Sequence, residues 1–229
     1  SSNNVAVGSN ALYYTTTGAN NVAIGYYSMW TNTTGNNNVA IGYYSLFLAD
    51  GTQYNVAIGH QAMRQAISGD KNSAVGYQAG YSFTNASQNA VFGYQAAYNT
   101  TISTALTAVG SQALYSNTTG GANVAVGYNA MYSNTTGTNN VAVGYMALYT
   151  VDKTVNNVAV GTNAMKLTTT GDQNTAVGHG ALQTNTTGNY NAAFGYAALS
   201  SATLGVKNTG IGASALRSNV TGSNNVAIG

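Results

Sequence analysis

The sequence predicts an all-β chain, a parallel β-solenoid built from seventeen-residue coils. Three observations predict it. A glycine closes a short apolar run at Gly8, Gly25, Gly42, Gly59, Gly76, Gly93, Gly110, Gly127, Gly144, Gly161, Gly178, Gly195, Gly212 and Gly229, with a spacing of 17 and no insertion or deletion. A fixed short period marks units that bury their apolar faces only against neighbours. Proline is absent, as suits a backbone whose N–H groups are taken up in ladders. Only 4% of residues are charged. Residues 1–229 therefore read as one repeat array of about 13 coils, expected to be a piece of a longer fibre. At about 4.8 Å per coil such an array would extend roughly 60 Å.

Asn4 is taken as slot 1 of the coil, so that Gly8 is slot 5 and Asn20 is slot 17. Slot 1 is Asn in every copy except Leu106, including Asn4, Asn21, Asn38, Asn55, Asn123, Asn140 and Asn157. Stacked amides here are expected to hydrogen-bond from coil to coil. Slots 2 to 4 read Val-Ala-Val or Val-Ala-Ile, a β-branched run expected to be a short strand. The glycine at slot 5 marks a corner with positive φ or a close backbone approach. Slots 6 to 10, as in "YNAMY" (residues 128–132), are expected to form a second, tyrosine-rich strand. Slots 12 to 15 favour "NTTG", which is turn chemistry.

All ten Lys, Arg and Asp fall at slot 10 or at slots 13 to 17. Charges are almost never fully buried without partners, so slot 10 and the long turn are expected to face water. Slots 2, 4 and 9 (Val141, Val143 and Leu148 in one coil) would form a thin core. Three such side chains are few against the entropy of ordering seventeen residues. Small residues recur at slots 3 and 8 and suit the close passage of another chain. The expectation is a homo-oligomer, with three chains around an axis favoured.

The core "NNVAIGYYS" (residues 20–28) and its successor at 36–45 resemble the head repeat of trimeric autotransporter adhesins. That motif is matched by Asn37, Val39, Ala40, Ile41, Gly42 and Ser45, with Asn38 in place of its serine. The whole unit, as in "SNTTGTNNVAVGYMALY" (residues 133–149), is also similar to repeats of phage-type tail fibres. The resemblance implies a left-handed β-roll, three chains wound into a rigid trimeric fibre, and an adhesive role outside the cell or on a virion.

No catalytic constellation is visible: Glu and Cys are absent and His60 and His179 lie seven repeats apart. No metal or cofactor site is expected. The net charge of +2 argues against nucleic acid, and no apolar run is long enough to span a bilayer. The candidate contact surface for a host glycan or protein is the slot-10 column: Tyr13, Trp30, Phe47, Tyr81, Tyr98, Tyr115, Tyr132 and Tyr149. Sequons at Asn32, Asn85, Asn99, Asn117, Asn134, Asn185 and Asn219 follow from turn preference. Threonines at slots 13 and 14 suggest ice binding as a third reading, after a passive structural shaft and a binding ridge.

Overall fold

A computed structural model describes residues 2–229. The chain divides into two compact units, Ser1–Thr119 and Gly120–Gly229. The first holds β1 (Val5–Val7), β2 (Val22–Ile24), β3 (Val39–Ile41), β4 (Val56–Ile58), β5 (Ser73–Val75), β6 (Ala90–Phe92) and β7 (Thr107–Val109). The second holds β8 (Val124–Val126), β9 (Val141–Val143), β10 (Val158–Val160), β11 (Thr175–Val177), β12 (Ala192–Phe194), β13 (Thr209–Ile211) and β14 (Val226–Ile228). Within each unit consecutive strands pair in parallel with no register slip, as in Val39↔Val56 and Val141↔Val158. Each unit is a β-solenoid of seventeen-residue coils, and the described residues include no helix.

The corner glycine has a strict reason. Gly25 sits at φ +134°, and a Cβ added there would lie 2.4 Å from the carbonyl oxygen of Gly42. Gly144 repeats this at φ +140°, with the Gly161 carbonyl oxygen 2.5 Å away. Neither the dihedral nor the space admits a side chain.

The second predicted strand is absent. Slots 6 to 10 are a succession of turns, because slots 7 and 9 adopt left-handed backbone: Tyr27 (φ 54°) and Met29 (φ 49°), or Asn129 (φ 53°) and Met131 (φ 50°). The axial hydrogen bonds nevertheless continue. Tyr27 N–H donates to Ser9 O at 3.0 Å and Met29 N–H to Ser45 O at 3.0 Å, pointing to opposite neighbours. Local bonds such as Ala130 N–H to Gly127 O (3.3 Å) tighten the path. A regular strand would alternate its faces. Here slots 8 and 9 are both buried, as at Ala62 and Met63. Adjacent inward side chains need the left-handed kinks.

The core also differs from the expected one. The middle residue of each internal strand points inward and its neighbours outward, so Ala40 is fully buried while Val39 and Ile41 are half-exposed. Slots 2 and 4 therefore face out. The interior is built from slot 1 Asn, slot 3 Ala, slot 8 Ala or Ser, slot 9 Leu or Met, and slot 12. At Gly210, the one slot 3 without a side chain, a Cβ would lie 3.3 Å from Leu199 Cγ. Alanine fills the space that the slot-9 chain leaves. The small residues thus answer to the coil's own narrow cross-section, which removes their value as a sign of a neighbouring chain.

Candidate functional site

The asparagine column is internal. Asn38 N–H donates to Asn21 Oδ1 at 2.9 Å, and its Nδ2 donates to Asn21 Oδ1 (3.2 Å) and to Thr52 O (2.7 Å). Each amide thus ties its coil to the preceding one and braces the opposite side of its own coil. Asn55 and Asn72 repeat the pattern in the first unit, and Asn140, Asn157 and Asn174 in the second. Asn21, Asn38, Asn55, Asn123, Asn140 and Asn157 are fully buried, and Asn4 accepts from Asn21 N–H at the first rung. At Leu106 the backbone N–H still reaches Asn89 Oδ1 at 2.9 Å, but the side chain carries no amide to pass on. These residues offer no surface chemistry.

Carboxylates do similar work at the turns. Asp70 accepts from Gln53 N–H at 2.7 Å, Asp172 accepts from Val155 N–H at 2.7 Å, and Thr33 and Thr135 donate hydroxyls to Asp50 and Asp152. Slot-13 threonine hydroxyls are committed along the axis, as in Thr84 Oγ1 to Thr101 O at 3.1 Å and Thr186 Oγ1 to Thr203 O at 3.1 Å. The sequon asparagines divide: Asn32, Asn117, Asn134 and Asn185 are fully buried, Asn99 and Asn219 are half-buried, and Asn85 is exposed. A glycan could not be carried at the first four in the folded coil.

Slot 10 is half-buried rather than fully exposed, Tyr13 and Arg217 excepted. Trp30 and Phe47 stack at 5.1 Å and 3°, Tyr81 and Tyr98 at 5.0 Å and 12°, Tyr98 and Tyr115 at 5.4 Å and 8°, and Tyr132 and Tyr149 at 5.4 Å and 17°. Arg64 fills the gap in the first unit. Its guanidinium lies 5.5 Å from the Phe47 ring and 5.9 Å from the Tyr81 ring, and Nη1 donates to Tyr81 Oη at 2.8 Å. At Arg64 the charge therefore marks stacking of cation on ring as well as contact with water. Burial and the adjoining phenols of Tyr81 and Tyr115 push the Tyr98 hydroxyl above its ordinary value, and burial with Tyr43 does the same to Tyr44.

The more exposed aromatic column lies at slot 6. In the first unit Tyr26, Tyr43, His60, Tyr77 and Tyr94 stack in sequence, with centroids 5.0–5.5 Å apart and planes within 12°. Tyr128 and Tyr145 continue the theme in the second unit at 5.5 Å and 10°. Ring faces close on one another along a column, so within it edges and hydroxyls meet the solvent. Beside it, Gln61, Gln78, Gln95 and Gln112 form an amide ladder with bonds of 2.8, 2.9 and 3.2 Å. This reverses the order expected from sequence, in which the charges at slot 10 pointed that column to water and the charge-free slots 1 to 9 were expected to be mostly covered.

The outward strand face was hidden from sequence reasoning, which had placed its side chains in the core. All but two of its slot-2 and slot-4 residues are apolar in each unit, the exceptions being Ser73 and Thr107 in the first and Thr175 and Thr209 in the second. It carries no charge. Among the described residues there is no cavity, no cluster of three His or Asp able to hold a metal, and no helix long and apolar enough to cross a membrane. No known protein family, curated protein or solved structure matches the chain.

Proposed function

We propose that this chain is a non-enzymatic structural segment of an extracellular fibre, an adhesin-like or tail-fibre-like shaft that associates with copies of itself. The observation that carries this reading is the uncharged Val/Ile strand face, half-exposed on coil after coil. Soluble monomers rarely leave so long an apolar stripe open to water. A second copy is the fitting occupant, because the stripe repeats at the same spacing on every chain and presents no charge for a charged partner to read. Three copies around an axis follow from the resemblance to adhesin heads. The role is mechanical: such a shaft spaces a distal binding part from its anchor, or multiplies weak contacts by repetition.

Val39→Lys together with Val158→Lys tests the association. Both positions face out, so the coils should stay folded by far-ultraviolet circular dichroism while the assembly dissociates in sedimentation velocity. An unmodified chain that sediments as a monomer at micromolar concentration would overturn the reading.

A second reading is favoured by the exposed slot-6 rings: a glycan or host surface held by ring edges and hydroxyls. Tyr77→Ser with Tyr128→Ser should then abolish surface binding and leave the coils intact. Unchanged binding points back to a passive shaft.

A further inference from the structure

We infer that the slot-6 tyrosine columns are sites of oxidative cross-linking, in which neighbouring coils become joined by dityrosine. Two features carry this. The rings of Tyr77 and Tyr94 stack at 5.4 Å with planes 11° apart, and those of Tyr128 and Tyr145 at 5.5 Å and 10°. All four are exposed, at 43%, 50%, 47% and 48%. Each pair belongs to adjacent coils whose backbones are held in register by axial hydrogen bonds, such as Gly93 N–H to Val75 O at 2.9 Å and Gly144 N–H to Val126 O at 2.8 Å. Two phenols are thus kept side by side in water without a need for chance collision, the arrangement that raises effective concentration.

The chemistry balances with hydrogen peroxide as oxidant, activated by a haem peroxidase. Each phenol loses one hydrogen atom. The two phenoxyl radicals form one carbon–carbon bond between their Cε atoms, and each ring regains aromaticity by passing its displaced ring hydrogen to oxygen. The peroxide takes up the two electrons and two protons and leaves as two waters. The product joins residues seventeen positions apart in sequence and one coil apart in space, stapling successive coils covalently.

The column also dictates where links cannot form. His60 stands between Tyr43 and Tyr77, stacked at 5.0 Å on each, so the column breaks into the pairs Tyr26–Tyr43 and Tyr77–Tyr94. Tyr54 and Tyr190 supply an internal control. They are 55% and 53% exposed, more than the paired rings, but their slot is followed by Lys71 and Lys207, and among the described residues no ring stacks on them. Exposure alone would favour Tyr54 and Tyr190, whereas stacking favours the pairs.

The test is treatment of the dilute full chain with a haem peroxidase and hydrogen peroxide, followed by peptide mapping by mass spectrometry. Expected are Tyr77–Tyr94 and Tyr128–Tyr145 linked within one chain, each lighter by two hydrogens, with Tyr54 and Tyr190 unlinked. Tyr94→Phe and Tyr145→Phe keep a stacking ring but lack the phenol, so each should delete its own link and leave the other. The same reaction in concentrated denaturant should lose the pair preference. Links distributed over Tyr54 and Tyr190 as readily as over the stacked pairs, or products only between chains, would overturn the inference.

Discussion

Gly80 and Phe83 show how one residue's choice is set by another across a coil. Slot 9 is Leu or Met in most coils, yet here it is Gly80, and slot 12 of the same coil carries the fully buried Phe83. A Cβ on Gly80 would lie 3.0 Å from the Phe83 ring, so the phenyl occupies the volume that a slot-9 chain fills elsewhere. Phe83→Ala should cost about 3–5 kcal/mol, the usual range for emptying a buried aromatic site. Gly80→Leu alone should also destabilise, by overpacking. The double variant restores the Leu46 and Ala49 pair but keeps the buried Val91 where the coil after that pair has Ala57, so it should recover only part of the loss. Denaturant titrations of all four proteins would measure the coupling, and additive losses would disprove the compensation.

At the scale of the coil, the interior amides and the left-handed turns matter more than the strands, which are three residues long. Non-glycine residues at slots 7, 9 and 17 take positive φ in coil after coil, a conformation costing roughly 1–2 kcal/mol each. Axial hydrogen bonds and the burial of slot 9 offset that cost. Asn140→Ala removes the acceptor of Asn157 N–H (3.0 Å) and the donor to Thr154 O (2.7 Å). A loss of about 2–3 kcal/mol is expected from the buried orphan it leaves. Val141→Ala, on the outward face of the same coil, should cost under about 1 kcal/mol in the dissociated chain. Equal losses would restore Val141 to the core.

The stacked phenols add a pH dependence to the first unit. With the hydroxyls of Tyr44 and Tyr98 raised above 10.0 in the fold, the unfolded chain ionises first as the solution becomes alkaline. The folded state then binds more protons than the unfolded one, so stability is full below pH ~10 and falls above it. Thermal unfolding between pH 8 and 11 should show the decline, and Tyr98→Phe should lessen it.

For the molecule as a whole, the unvarying period is the controlling constraint. Within each unit every coil pairs with its neighbour through identical slots, so a one-residue slip would turn Ala inward positions into Val and the reverse. Excision of residues 140–156 joins Asn139 to Asn157 and keeps every slot aligned. That variant should fold with unchanged hydrogen-exchange protection in the remaining strands, as expected of a nearest-neighbour array. Deletion of Val155 alone should unsettle the coils around it. Loss of folding in the whole-coil deletion, or tolerance of the single one, would contradict this account.

The period, the strand at slots 2 to 4 and the corner glycine were legible in the sequence because each depends on local chemistry: β-branching, a missing Cβ, and strict spacing. Which way the strand faced was not. Val-Ala-Val is apolar on both sides, and hydrophobicity points to burying the larger residue. Only the folded coil reveals that its interior is too narrow for valine beside Leu199 or its equivalents, so alanine goes in and valine out, and the one inward valine of slot 3, Val91, follows a coil whose slot 9 is Gly80. The same narrowness decided the rest. It turned slots 6 to 10 from a strand into left-handed turns, drew the asparagine amides inside, and left the apolar face and the slot-6 rings on the surface. Side-chain volume against enclosed space is a property of the closed coil, which no single stretch of sequence contains.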